Sequence, residues 1–288
     1  RHRLVAMTSH LRFTKGHGTE NDFVVLDDPD GELDLDAAAV VALADRRAGI
    51  GADGVIRAVR TARAGIDAPA HAPEWFMDYR NGDGSLAEMC GNGVRVLAAH
   101  LRRAGHVHED TFAVWTRAGA RTVEIRSAPS ATERSWMVRV GMGAAHLQES
   151  GREVTVAGRR LPVVDVDMGN PHAVAFLPEQ LSLAGLDLTV RPPLDPEPAE
   201  GANIELVTPR GERHVAMRVV ERGVGETRSC GTGVAAVAVA AARRAHDESG
   251  LPWTVDVPGG RLSVGWTDTG EVTLTGPAAL VADGVMLR

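Results

Sequence analysis

The 288-residue chain has one lysine, Lys15, one tyrosine and two cysteines, and aromatic residues make up only 4 % of it. Each scarcity excludes something. Two cysteines cannot build a disulfide framework, and a chain of this length needs none to bury a core. A single lysine, with no recognisable motif around it, gives no pyridoxal-phosphate signature. Basic residues number 31 against 38 acidic ones, a net charge of -7, which argues against a dedicated nucleic-acid binder. Charged residues recur throughout, so no window reaches the ~18 apolar residues of a membrane-spanning helix. The first residues, Arg1 to Ala6, are basic but lack the apolar stretch of a secretory signal, and Met7 is a candidate natural start. The expectation is a soluble cytoplasmic protein with reduced thiols, made of one large or two medium domains. An apolar content of 44 % excludes a disordered chain.

What is present is a repeat. Met89-Cys90-Gly91-Asn92-Gly93-Val94 returns as Ser229-Cys230-Gly231-Thr232-Gly233-Val234, and each copy opens an Ala/Val-rich stretch ending in paired arginines, Arg102-Arg103 and Arg243-Arg244. Met77 matches Met217 and Asn81 matches Glu221 at the same offset, while Gly51-Ala52-Asp53 matches Gly201-Ala202-Asn203 at a slightly longer one. Aligned flanks point to an internal duplication. The expected halves are residues 1–130 and 131–276, with 277–288 a final strand returning to the first half.

Short apolar runs bounded by turn residues predict strands at 23–27, 111–116, 121–126, 135–141, 152–157, 213–220, 253–257, 261–266 and 271–275. Helices are expected at 35–48, 92–104 and 232–245, the last two rich enough in Ala and Val to be buried nearly all round. Residues 61–73 and 192–198 read as loops, 127–134 as the domain junction, and the acidic run 27–32 as a solvated loop without metal-ligand order. The fold class is α+β: many short strands and one central helix per half, without the strand–helix alternation of a doubly wound sheet.

Each cysteine precedes a predicted helix N-terminus. Unpaired backbone N–H groups there stabilise a thiolate, lowering the thiol pKa, and can also hold a carboxylate. Two such thiols, one per half, suit inversion of a carbon stereocentre next to a carboxylate. One thiolate removes the proton and the opposite thiol returns one, while helix amides stabilise the developing charge. The expected site lies between the halves and requires neither cofactor nor metal. Amides, a carboxylate and a guanidinium around the motifs suit a small zwitterionic substrate: Asn21, Asn81, Asn170, Asn203, Glu221 and Arg222, with His172 following an apolar run.

Together these residues resemble the diaminopimelate epimerase family, from Lys15-Gly16-His17-Gly18 to Gly276-Pro277-Ala278, with the motifs in the family's order. The resemblance implies a pyridoxal-phosphate-independent epimerase that interconverts LL- and meso-diaminopimelate in lysine and peptidoglycan-precursor synthesis. It implies that Cys90 and Cys230 are the acid/base pair, Cys90 working on the face of the LL isomer. Gly91-Asn92 and Gly231-Thr232 hold the reacting carboxylate, and Asn81, Asn170, Asn203 and Arg222 read the distal end. Asn21 lines the pocket, and His172 and Glu221 tune the thiols, Glu221 also meeting the reacting amino group. It further implies two pseudo-symmetric halves, each a curled, mostly antiparallel sheet around a central helix, and a homodimer. A sister racemase of the same fold, such as the proline racemase group, is the nearest alternative, and a dithiol redox protein a more distant one. The sequence departs from the family at Gly54, where many members carry Gln, leaving one contact to backbone, to water or dispensable. It departs also at Thr19-Glu20, where a hydrophobic residue and Gly are commoner, and at Ala282, near the expected subunit contact.

Overall fold

The computed structural model describes residues 10–287, so the basic start and Met7 lie outside the described residues. The chain divides into two compact units. One runs up to Val140 and takes back the chain from Pro277 onward; the other is Gly141–Gly276. The divisions fall inside strands, not in the 127–134 loop. That loop joins two antiparallel neighbours of the first unit and is not a junction.

The first unit contains β1 (His10–Gly18), β2 (Asn21–Asp27), α1 (Ala37–Ala44), β3 (Gly54–Arg60), β4 (Trp75–Asn81), α2 (Gly91–Arg103), β5 (Thr111–Thr116), β6 (Gly119–Ser127) and most of β7 (Trp136–Gly143). The second contains β8 (His146–Gln148), β9 (Glu153–Val156), β10 (Arg159–Asp167), β11 (Pro171–Phe176), β12 (Leu194–Asp195), β13 (Asn203–Gly211), β14 (His214–Glu221), β15 (Gly225–Thr227), α3 (Gly231–Arg244), β16 (Trp253–Val257) and β17 (Gly260–Trp266). The last strand, β18 (Val272–Leu287), begins in the second unit and ends in the first.

The duplication holds at the level of strand pairing. In the first unit β1–β2 is antiparallel, β2–β3 parallel, β3–β4 antiparallel, β4–β5 parallel, and β5–β6 and β6–β7 antiparallel. In the second, β10–β11, β11–β13, β13–β14, β14–β16, β16–β17 and β17–β18 follow the same succession of directions. The antiparallel partner outside β1 is the end of β18; the one outside β10 is β8. In both, the long helix connects the strands of a parallel pair, directly from β4 in the first unit and by way of β15 in the second, and packs across the sheet. α2 touches β1, β2, β3, β4 and β6, and α3 touches β10, β11, β13, β14, β16 and β17. Every residue of α2 from Gly91 to Leu101 is buried, as its composition predicts.

Three expectations change in detail. α1 is shorter than 35–48: Asp36 caps its start by accepting from the Ala39 amide, but Asp45 turns its carboxylate onto the amides of Arg47 and Ala48 and ends the helix before Gly49. The loop at 192–198 is anchored, with Pro192 and Leu194 buried and Leu194–Asp195 paired to β9. The acidic run is not all solvated either. Asp28 is buried, accepts from the amides of Glu32 and Leu33, and pairs with Arg57. Among the described residues no helix is long and apolar enough to cross a membrane.

Candidate active site

In the first unit Cys90 is the N-cap of α2, its backbone still extended (φ -141°, ψ 114°), and its Sγ accepts from the Gly93 amide at 3.5 Å. The adjoining β1–β2 hairpin supplies Asn21. Its two turn residues, Thr19 and Glu20, both have positive φ (50° and 63°), the turn geometry that matches strand twist and that glycine adopts more cheaply. Asn21 Nδ2 donates to Asp53 at 2.8 Å, so its Oδ1 faces the other way, 3.6 Å from Cys90 Sγ and 3.2 Å from Asn92 Nδ2. Asp53 and Asp22 are held by Arg46, and Asp22 also by Lys15. Burial raises the Asp22 carboxyl, but those two cations outweigh it and keep the pKa well below the ordinary range. The lone lysine is thus a strut beneath Asn21.

Asn92 is fully buried, and Arg95 Nη2 donates to its Oδ1 at 2.9 Å. Its side chain is therefore committed to the protein interior, leaving its backbone for a ligand. Asn81, at the end of β4, accepts from Tyr79 Oη and donates to Ser85 Oγ, both at 3.0 Å. The missing Gln at Gly54 also has its explanation here. A Cβ at that position would sit 2.6 Å from both the Tyr79 ring and the Arg80 carbonyl, so the Tyr79 ring occupies the space and its hydroxyl holds Asn81.

The second unit repeats the scaffold with different chemistry. Cys230 is the N-cap of α3 and is buried, with Thr232 Oγ1 3.4 Å from Sγ. Glu221, the last residue of β14, accepts from Thr227 Oγ1, and its charge bears on Cys230. Behind them His172 Nδ1 lies 2.6 Å from Glu205 Oε1, both side chains fully buried, and His172 Nε2 lies 3.1 Å from Asn170 Oδ1. Asn203 Oδ1 accepts from the Arg222 amide at 2.9 Å, while the exposed Arg222 guanidinium donates to the Glu200 carbonyl. The structure thus gathers Cys230, Glu221, Thr232, His172 and Asn170, with Asn203 and Arg222 joined at the neighbouring strand ends.

The expectation that both thiols are acidified fails at Cys230. Burial first, then the charges of Glu221 and Glu205, push its thiol well above the ordinary cysteine value; the Thr232 and Gly233 hydrogen bonds do not offset them. Glu221 is itself raised by burial, against its bond to Thr227. Two buried residues escaped the sequence reading: Glu205, and Arg95 five residues after the first cysteine. The available signal was a charged residue inside an otherwise apolar run. Among the described residues no three His, Cys, Asp or Glu side chains are placed to hold a metal ion.

Two units of one topology, each with a cysteine capping a buried helix, define a duplicated α+β class. The structure of a PhzF-family phenazine biosynthesis protein of Bacillus anthracis matches with a TM-score of 0.71 at 14 % identity, covering 98 % of this chain and 100 % of that one. A hydroxyproline epimerase of Agrobacterium vitis matches with a TM-score of 0.67 at 12 % identity, covering 98 % and 94 %. These likenesses are of fold. Sequence is more specific: the diaminopimelate epimerase family model matches residues 13–148 and 164–281. The diaminopimelate epimerase of Streptomyces coelicolor is 54 % identical over 96 % of each chain, and that of Thermobifida fusca 50 % identical over 95 % of this chain and 97 % of its own. The chain belongs to the diaminopimelate epimerase family.

Proposed function

We propose that the protein interconverts LL- and meso-diaminopimelate by proton exchange at one α-carbon, without pyridoxal phosphate. One cysteine thiolate takes the α-proton and becomes a thiol. The bond electrons pass into the carboxylate, and the other cysteine's thiol returns a proton to the opposite face and becomes the thiolate. The observation that carries this reading is a helix-capping cysteine in each unit, one among carboxylates and one beside a guanidinium. Helix-terminal amides at Gly91-Asn92 and Gly231-Thr232 are the donors for the developing negative charge. Glu221 and His172 set the state of Cys230, with Glu221 placed for the substrate amino group. Asn21, Asn81, Asn170, Asn203 and Arg222 are assigned to substrate binding. A homodimer in the cytoplasm is proposed on family resemblance, and light scattering of the purified protein reads the oligomeric state.

The test is incubation with LL-diaminopimelate in deuterated water under reducing conditions. The expected outcome is meso product with deuterium at the inverted α-carbon, and no turnover in Cys90→Ser or Cys230→Ser. Absence of both product and exchange overturns the assignment. Parallel incubation with proline separates the sister racemases.

A further inference from the structure

Arg95 is the bulkiest fully buried side chain of the described residues. Among the described residues its nitrogens reach neutral oxygens: Asn92 Oδ1 at 2.9 Å, Pro277 O at 3.2 Å, and Gly91 O and Thr19 Oγ1 at 3.3 Å. Among the described residues no carboxylate pairs with it. Neighbouring arginines behave otherwise, Arg46, Arg57, Arg60, Arg102, Arg103 and Arg117 each meeting an aspartate or glutamate. Hydrogen bonds to neutral groups orient a buried guanidinium but do not neutralise it. Burial pushes Arg95 down to about 10, and the one charge that counters this is Cys90. Interaction between two titrating groups is reciprocal, so a cation stabilised by the thiolate stabilises the thiolate.

The duplicated scaffold supplies an internal comparison. Residue 95 maps at the cysteine offset to Ala235, which is fully buried in α3. A Cβ on Gly93 would meet Ile56, whereas a Cβ on Gly233 would meet Glu205. One copy therefore sets a cation behind its cysteine and an alkyl group beside it. The other sets a carboxylate beside its cysteine and a methyl group behind it.

Most other charges on the strands packed against α2 have partners of their own, Asp27 of β2 among them through His100 and His106. On β1, Lys15 pairs with Asp22, and His17 Nδ1 accepts from the Glu20 amide. From the start of β2 and the residue before β3, Asp22 and Asp53 are held by Arg46. On β3 and β4, Arg57, Asp78 and Arg80 form their own cluster with Arg117 and Asp28. On β6, Glu124 is held by Arg126 and Arg139, and Arg121 donates to the Ala120 carbonyl. One opposing group at Cys90 is Asn21 Oδ1, which would accept from a thiol; at 3.6 Å this is a weak bond set against a full desolvated charge and the Gly93 amide.

We infer that Arg95 is a positioning residue that holds Cys90 as a thiolate in the resting protein. The inference deepens the proposed function, and its test does not depend on turnover. Iodoacetamide alkylation is followed from acid to alkaline pH, with each cysteine peptide resolved by mass spectrometry. The wild-type protein is compared with Arg95→Met and Arg95→Lys. Cys90 is expected to react with a midpoint below the ~8.5 of free cysteine, and Arg95→Met to raise that midpoint by about one unit, roughly tenfold less thiolate below it. Arg95→Lys is expected to stay near wild type, and the Cys230 profile to be the same in all three. An unchanged Cys90 midpoint in Arg95→Met, or an equal shift at Cys230, overturns the inference. Should Arg95→Met not fold, Arg95→Gln takes its place under the same readout: a raised Cys90 midpoint supports the inference and an unchanged one overturns it.

Discussion

Gly93 and Gly233 occupy the same place in the two copies, and replacing each by alanine should have opposite effects. Alanine in a helix is favoured over glycine by up to about 1 kcal/mol. At Gly93 the new methyl meets the Ile56 Cδ1 at 3.2 Å, a flexible end that can yield by a few tenths of an ångström, and Cys90 and Phe23 atoms at an ordinary 3.6 Å. Most of the helical gain survives there. At Gly233 the methyl lies 2.7 Å from Glu205 Oε1. That oxygen cannot yield cheaply, since it is 2.6 Å from His172 Nδ1 and both side chains are fully buried. Overpacking of this kind costs ~1–3 kcal/mol, and displacing the carboxylate also weakens a buried bond. The two variants should therefore differ by about 1–3 kcal/mol, Gly93→Ala near or above wild type and Gly233→Ala below it. Urea unfolding read by far-ultraviolet circular dichroism measures this as a change in midpoint at constant slope. Gly233→Ala should also slow turnover, because it disturbs the His172–Glu205 pair next to Cys230. If Gly93→Ala loses as much stability as Gly233→Ala, the packing argument is refuted.

Asp78 is buried among Arg57, Arg80 and Arg117. Asp78→Asn should destabilise by about 3–5 kcal/mol, measured by the same unfolding assay. Burial raises the Asp78 carboxyl, but the Arg117 hydrogen bond and then the charges of Arg80, Arg117 and Arg57 outweigh it and hold the pKa below the ordinary value. A depressed folded-state pKa gives stability that is complete above the unfolded value of ~3.9 and lost as pH falls through the folded one. Acid unfolding curves should show this loss in wild type and lack it in Asp78→Asn. Cys230 has the opposite sign: its raised thiol pKa should confine its alkylation to a more alkaline range than free cysteine. Glu221→Gln removes one of the two facing carboxylates and should move that profile to lower pH; a move to higher pH contradicts the electrostatic account.

The duplication, the central helices and the two cysteines were legible because they rest on local features: a repeated Cys-Gly-x-Gly, Ala/Val runs and paired terminal arginines. Strands whose signal is alternation were found with nearly the observed bounds, as at Thr111–Thr116 and Trp253–Val257. β3 and β4 were not, because five or six consecutive residues in each are buried and leave no period of two to read. β1 was hidden by glycines at 16 and 18, which approach Ala279 and Arg95 too closely for a side chain. At the site, the asparagines and Glu221 stood out as polar residues in motifs. Glu205 did not, since Ile204-Glu205-Leu206 reads as strand alternation with Glu205 outward, whereas the sheet is covered on both faces there. Its partner His172 lies 33 residues away, a pairing that only the parallel register of β11 and β13 creates.

β18 gives the chain an order of completion. Its first residues pair with β17 in the second unit, and its last eight register positions pair with β1 from His17 back to His10. The first unit therefore receives a sheet strand from residues synthesised after the second unit. Until then β1 is an open edge, free to pair with any exposed strand. The half that leaves the ribosome first is finished last, only after the whole of the second half has been made.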